Sequence, residues 1–141
     1  MYDDVLLPVA RGEVEENPAV ERAVSLAEQY DATLHLLSVV DPIVFDPITP
    51  KINRVHEALE EGAEKAVDEA AERARSRDVD VETHVGRGIP HDVITEYAGD
   101  HADILVIATH GREGLDHALL GSVTEKVVRS AEVPVLSVPL S

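Results

Sequence analysis

Glycines and hydroxyl side chains cluster in the stretch ATHGREGLDHALLGSVTEKVVRS, residues 108–130. Gly111 and Gly114 can adopt positive φ angles and allow a ligand to approach the backbone closely. Ser122 and Glu125 have the S-x-x-E spacing of a capping box, which predicts that a helix starts at Ser122. The free N–H groups and the positive dipole end of a helix start attract phosphate. The Ser122 hydroxyl therefore has two open roles, capping the helix or binding a phosphate oxygen.

Several known phosphate-binding motifs are excluded. A Walker loop needs Gly-Lys followed by Ser or Thr, whereas Gly121 is followed by Ser122 and Val123. A dinucleotide fingerprint or a flavodoxin-type hydroxyl-rich loop would follow the first apolar segment, where the chain reads PVARGE. Response-regulator receivers carry acidic residues at the carboxyl end of that segment, but Asp3 and Asp4 lie at its start.

The elements that position these residues alternate along the chain. Short runs rich in Val, Leu and Ile predict strands at Asp4–Val9, Thr33–Val40, Asp78–Val85, Asp103–Ala108 and Val133–Val138. Amphipathic helices are predicted from Pro18 after the cap Asn17, from Pro50 to Ala74, from Pro90 to Gly99 and from Ser122 to Ala131. This order predicts an α/β fold, a single open, doubly wound five-stranded parallel sheet with helices on both faces. Ligands of such sheets bind beyond the carboxyl ends of the strands.

Composition limits the classes of function. A length of 141 residues predicts one domain over 1–141, and the absence of cysteine excludes thiol catalysis and disulfide scaffolds. The formal net charge of −16 disfavours nucleic acid and anionic membranes as partners. Such a surface suits high salt, so we expect a salt-accumulating, haloarchaeal type of cytoplasm. No segment is long and apolar enough to span a bilayer, which predicts a soluble, cytoplasmic protein.

The segment ATHGREGLDHALLGSVTEKVV resembles the signature of the universal stress protein family, G-x2-G-x9-G-[ST]. Gly111, Gly121 and Ser122 occupy the second glycine, third glycine and hydroxyl positions. Further similarity lies in VLLPV, LLSVVD, GRGIPHDVITEYAGDHADILVIATHG and VTEKVVRSAEVPVLSVP, so the resemblance covers nearly the whole chain. It implies the strand order 3-2-1-4-5, and it implies an adenine nucleotide, ATP or AMP, as a ligand.

The resemblance also implies where the nucleotide binds. The cleft would lie at the carboxyl ends of the first, second and fourth strands, and Val40 would contact adenine through its backbone. The implied nucleotide-binding residues are Pro8, Val9, Ala10, Val40, Ala108, Thr109, His110, Gly111, Arg112, Gly114, Gly121, Ser122 and Val123.

Two of these residues depart from the family pattern. Ala10 stands where nucleotide-binding members usually have Asp, and its missing hydrogen bond is worth about 1 kcal/mol. Ala108 replaces the first glycine, and its methyl costs about 1 kcal/mol if that position needs a left-handed backbone. Both losses together would weaken binding by about a factor of 30.

The last strand is the expected dimer interface. The resemblance places it at the sheet edge and implies a homodimer, with Val135, Leu136 and Val138 at the contact. An unpaired apolar edge promotes association, and a twofold dimer would cover it.

The histidines show no helical spacing typical of a metal site, so none is predicted as a ligand. His91, His101 and His117 are expected at the surface, and His35 could be buried within its strand. His110 lies inside the glycine motif, near the expected phosphates.

Charged residues near the predicted cleft are weaker candidates. Arg112 is the cation nearest the glycines, and Arg11 and Arg87 also follow strands. Asp41 and Asp46 could hold Mg²⁺ together with phosphate oxygens.

Three functions therefore remain open. The first is nucleotide binding by a homodimeric stress-response protein. The second is a dimeric interaction module that has lost nucleotide binding, as Ala10 and Ala108 suggest. The third is slow ATP hydrolysis or autophosphorylation with Ser122 or Thr124 as acceptor, although no catalytic constellation is recognisable.

Overall fold

A computed structural model describes residues 2–10, 14, 17–41, 50–109 and 118–139. Strands and helices alternate along these segments, as the sequence predicts. The strands are β1 (Asp4–Pro8), β2 (Thr33–Val40), β3 (Asp80–Arg87), β4 (Ile104–Thr109) and β5 (Val135–Pro139). The helices are α1 (Pro18–Tyr30), α2 (Pro50–Arg75), α3 (Pro90–His101) and α4 (Ala118–Ser130).

The strands form one parallel sheet in the order β3-β2-β1-β4-β5. This confirms the predicted fold class and strand order. The order reverses between β1 and β4, which is where open α/β sheets form ligand clefts. β1 lies in the centre, between β2 and β4, so its carboxyl end borders both neighbours.

Side chains alternate between two apolar layers, one on each face of the sheet. Residues such as Leu7, Leu36 and Val106 point toward α1 and α2, where alanines of both helices pack closely on them. Residues such as Leu6 and Leu105 point toward α3 and α4. The continuous apolar runs of the strands therefore reflect coverage on both faces.

The start of α1 follows the sequence prediction. Asn17 has an extended backbone, and its side-chain oxygen Oδ1 accepts a hydrogen bond from the N–H of Ala19 at 2.9 Å. Pro18 occupies the first helical position, where its missing N–H costs nothing. The cap sits among buried residues, so it fixes where the chain enters the core after β1.

Several element boundaries differ from the prediction, most of them by one or two residues; β5, for example, begins at Val135 rather than Val133. β3 begins at Asp80 rather than Asp78, because Asp78 adopts the left-handed conformation, with φ of 59°, in the turn after α2. α4 begins at Ala118 in the described part of the chain, so the predicted helix start at Ser122 is wrong. The apolar residues before Gly121 have high helix propensity and extend the helix toward its amino end. Ser122 lies inside the helix, beyond the free amides of the first turn, and cannot be its N-cap.

Among the described residues, no helix combines the length and the hydropathy needed to cross a membrane.

Candidate functional site

A cavity of about 220 Å³ opens at the carboxyl ends of β1 and β2, beneath α2. The end of β1 contributes Val9 and Ala10, and residues 38–41 form the wall from β2. Leu59 and Ala63 of α2 close it from above. The lining is mostly apolar with a few polar groups, which is the usual character of a site for a flat organic ligand.

Register explains why β1 and β2 end together. Leu7 and Pro8 pair with Leu36 and Leu37, and the N–H of Val9 then donates to the Leu37 carbonyl at 2.8 Å. This hydrogen bond extends the pairing of β1 with β2 by one residue beyond Pro8. It places Val9 and Ala10 against the end of β2. Of the predicted nucleotide-binding residues, Val9, Ala10 and Val40 therefore line one cavity, and Pro8 is the strand residue before them.

Val40 has a defined backbone environment. Its side chain is buried, and its carbonyl accepts a hydrogen bond from the N–H of Gly88 at 3.1 Å. Gly88 has φ of 143°, a conformation open mainly to glycine, and follows the end of β3. A carbonyl oxygen has a second lone pair, so Val40 keeps an acceptor for a ligand.

Ala108 is compatible with its place in the motif. It lies within β4, and the non-glycine residues with positive φ in the described segments are Asp31 and Asp78. The methyl group of Ala108 therefore adds no left-handed strain. Its carbonyl accepts a hydrogen bond from the Thr124 hydroxyl at 2.8 Å, which ties the end of β4 to α4. Thr124 is buried in this contact, which argues against it as a phosphate acceptor.

The rest of the glycine motif divides between described and undescribed residues. Thr109 ends β4 and is half-buried. Gly121 and Ser122 lie in the early turns of α4, and the side chain of Ser122 is outside the described part. Val123 packs partly buried against the apolar layer beneath α3 and α4, so it faces the core and not the cavity. The predicted residues His110, Gly111, Arg112 and Gly114 lie outside the described residues, as do Arg11, Asp46 and His117.

Comparison with known proteins identifies the family. Residues 1–139 match the model of the Universal stress protein family. The universal stress protein MJ0531 of Methanocaldococcus jannaschii is 32% identical over 141 residues, covering 98% of this chain and 82% of the relative. The chain belongs to the universal stress protein family.

Solved structures of similar proteins agree with the fold of this family member. The hypothetical protein MJ0577 has a TM-score of 0.81 and 28% identity, covering 99% of this chain and 96% of its own. A universal stress protein solved in complex with cAMP has a TM-score of 0.70 and 27% identity, covering 99% and 98% of the two chains.

Charged side chains of this universal stress protein also lie near the cavity. Arg87, the last residue of β3, forms an ion pair with Glu60 of α2. The guanidinium of Arg87 therefore contacts α2, the helix that covers the cavity. It stays largely exposed to solvent. Asp41, directly after β2, is half-buried at the cavity wall.

Three histidines of this family member, His35, His84 and His101, lie around Tyr97. His35 is buried on β2, and its Nδ1 lies 2.9 Å from the Tyr97 hydroxyl. The rings of His84 and His101 lie 5.5 and 4.7 Å from the Tyr97 ring. Sequence reasoning anticipated the burial of His35 but missed Tyr97. The four-residue spacing of Tyr97 and His101 on a helix was the available signal.

No cluster of three His, Asp or Glu residues able to hold a metal ion occurs within the described segments of this family member. His91 is half-buried beside Asp92, with 3.1 Å between its Nε2 and Asp92 Oδ1, rather than fully at the surface. His101 is exposed, as expected.

The predicted dimer residues of this universal stress protein differ in exposure. β5 is an edge strand, as the resemblance implies. Leu136 is 41% exposed, whereas Val138 is only 7% exposed and packs into the layer beneath α1. Val135 is partly buried against the opposite layer. Of the three, only Leu136 is exposed: Val138 lies on the same face of β5 but is covered by the layer beneath α1, and Val135 lies on the opposite face.

Proposed function

We propose that this universal stress protein binds an adenine nucleotide, ATP or AMP, with its base in the cavity between β1, β2 and α2. The observation that carries the proposal is the cavity itself. It combines apolar walls from Val9, Leu59 and Ala63 with a backbone acceptor at Val40. Apolar walls favour a flat ring, and the backbone of the strand end can pair with its polar edge.

The phosphates would lie toward the start of α4. The chain leaves β4 at Thr109 and enters α4 at Ala118, so the glycine motif spans the gap between these two ends. The Thr124 to Ala108 hydrogen bond holds the two ends in a fixed relation. Free amides in the first turn of α4 provide phosphate donors. If Mg²⁺ accompanies the nucleotide, Asp41 is the described carboxylate next to the cavity.

A related protein supports the ligand class. The similar universal stress protein at 27% identity was solved in complex with cAMP, an adenine nucleotide. We extend this class of ligand to the present chain as part of the proposal.

The first experiment is mass spectrometry of small molecules released from protein purified in molar KCl, followed by calorimetric titration with ATP and AMP. Molar salt is used because it screens the repulsion among the charges that give the chain its net charge of −16. Ala63→Leu fills the cavity from α2 and should weaken nucleotide binding at least tenfold, because its added side chain occupies the space of the base.

Ala58→Leu is the matched control, since Ala58 is an exposed position of the same helix. Its nucleotide affinity should equal that of the wild type. Wild-type affinity in Ala63→Leu would place the ligand elsewhere.

A second candidate function is a dimeric interaction module without nucleotide binding. Ala10 favours it, because its methyl lines the cavity and offers no hydrogen-bonding group to a ribose or a base. Absence of released nucleotide together with no heat on adding ATP and Mg²⁺ would decide for this candidate.

A homodimer formed along β5 is part of both candidates. The exposed Leu136 on an edge strand supports it. The molar mass from light scattering in molar KCl should be about twice that of the chain, and a monomeric mass would contradict the dimer.

A further inference from the structure

Four polar side chains are buried among the described residues: Asn17, His35, Ser38 and Thr124. Three of them are hydrogen-bonded. Asn17 caps α1, His35 bonds to two side chains, and Thr124 bonds to the Ala108 carbonyl. Ser38 differs, because within the described segments its hydroxyl forms no hydrogen bond.

A buried hydroxyl without a partner is unusual in a native protein. Ser38 is 4% exposed, so its hydroxyl has lost most of its contact with bulk water. Such groups are normally paired, since leaving one unpaired costs the free energy of its desolvation. Because such a hydroxyl lowers the stability of the folded state, its presence is better explained by a role other than stabilising the fold.

The position of Ser38 supplies a reason. Ser38 lines the cavity, two residues before Val40 on β2, and therefore on the same face of the strand as Val40. Its neighbours in the lining include Val9 of β1 and Ala63 of α2, and neither side chain offers a hydrogen-bonding group. Asp41 also lines the cavity, but no hydrogen bond joins this described residue to Ser38, so a ligand bound there can supply the partner for this hydroxyl.

We infer that Ser38 is a specificity-determining residue whose hydroxyl hydrogen-bonds directly to the polar edge of a bound purine base. The inference rests on the proposed function and names a contact for it. A hydroxyl both donates and accepts, so it can pair with a ring nitrogen or with the exocyclic amino group of adenine. The contact offsets part of the loss at Ala10, which lines the same cavity but has no polar group.

The test compares calorimetric titrations of wild type, Ser38→Ala and Ser130→Ala with ATP and AMP in molar KCl. Ser38→Ala should weaken binding about five- to tenfold, the usual effect of one lost hydrogen bond. Ser130→Ala is the matched control, because Ser130 is an exposed serine at the end of α4, and its affinity should be unchanged.

Analogues of the base separate a direct contact from an indirect one. The 3-deaza and 7-deaza forms of AMP, and purine riboside monophosphate, each lack one polar group of the adenine edge. One of these analogues should bind the wild type several-fold more weakly than AMP binds it. The same analogue and AMP should bind Ser38→Ala with equal affinity. A uniform loss for every analogue in both proteins would overturn the direct contact.

The stability of the protein without ligand gives a second readout. If Ser38 serves the ligand, the midpoint of thermal unfolding of Ser38→Ala should equal or exceed that of the wild type. A lowered midpoint would show that the hydroxyl serves the fold and would overturn the inference. If the wild type and Ser38→Ala bind the nucleotide with equal affinity, this inference is overturned but the proposed function is not. If the wild type binds no nucleotide, both are overturned.

Discussion

Two buried polar residues lie three positions apart on β2, and they point to opposite faces of the sheet. His35 faces α3, and both of its ring nitrogens have partners. Ser38 faces α2 and has none in the described segments, but it borders a cavity. The same strand thus carries one polar group that is satisfied by the fold and another that the fold leaves available. The partners of a buried polar side chain, rather than its burial, separate a structural role from a binding role.

The network around His35 links four elements. Nε2 lies 2.7 Å from Asp4 Oδ1 of β1, and Nδ1 lies 2.9 Å from the Tyr97 hydroxyl of α3. Glu82 of β3 is also near, with its Oε2 3.5 Å from Nδ1. Because a carboxylate only accepts, Nε2 carries a proton, and in neutral imidazole Nδ1 accepts from the Tyr97 hydroxyl. The polar atoms of His35 are therefore paired within the fold, whereas Ser38 on the α2 side lines a cavity.

The largest expected effect on stability comes from removing the hydrogen bonds of His35. His35→Ala should lower the free energy of unfolding by about 3 kcal/mol, because it removes two hydrogen bonds and leaves a cavity in the core. Urea unfolding measured by circular dichroism would show the change. Nucleotide affinity should change little, since His35 points away from the cavity. A stability loss below about 1 kcal/mol would mean that the network is not structural.

Thr124→Val should have an intermediate effect. It preserves the shape of the side chain but leaves the buried Ala108 carbonyl without the Thr124 hydroxyl as a donor. The free energy of unfolding should fall by about 1–2 kcal/mol in the same urea experiment. Thr124→Ser keeps the hydroxyl and is the matched control, expected to lose less. Equal losses in both variants would assign the effect to the methyl group instead of the hydrogen bond.

Tyr97→Phe should have the smallest effect at neutral pH, about 1 kcal/mol, because Tyr97 is only partly buried. This substitution is informative because its effect on the free energy of unfolding depends on pH. Burial raises the pKa of Tyr97 above its ordinary value of 10.0, and the negative charges of Glu82 and Asp4 raise it further. The unfolded chain ionises first as the pH rises, so this contribution is complete below pH 10 and is lost as the pH passes the folded-state pKa.

The pH dependence gives a direct comparison of the two proteins. Urea midpoints measured from pH 8 upward should fall more steeply above pH 10 for the wild type than for Tyr97→Phe. Parallel curves would show that Tyr97 ionises alike in the folded and unfolded chains. The other tyrosines, Tyr2 and Tyr30, are present in both proteins and cancel in the difference.

The sequence predicted much of the fold because the signals were local. The bounds of β2 at Thr33–Val40 and the cap of α1 at Asn17 match the structure, since an apolar run and an Asn-Pro pair act on their own neighbours. The start of α4 was missed because a capping-box pattern at Ser122 also fits the interior of a longer helix. Of the predicted cleft residues, Val9, Ala10 and Val40 line the cavity, while Val123 belongs to the core.

Ser38 was not singled out in the sequence, because a serine within an apolar strand has no distinguishing pattern. The same holds for the partners of His35. Asp4 and Tyr97 lie 31 and 62 positions away from it along the chain. The burial of Val138 likewise depends on how far helix packing extends along the edge strand, since Leu136 on the same face is exposed.

The sequence by itself determined the alternation of strands and helices, the parallel sheet and the family signature, because hydrophobic period and residue spacing are properties of neighbouring residues. Only the tertiary structure decided which buried polar groups would be paired. Pairing depends on what strand register and helix packing bring within about 3 Å, and that distance is set by contacts between residues far apart in the chain. His35 was given partners by that packing, and Ser38 was left at the wall of the cavity.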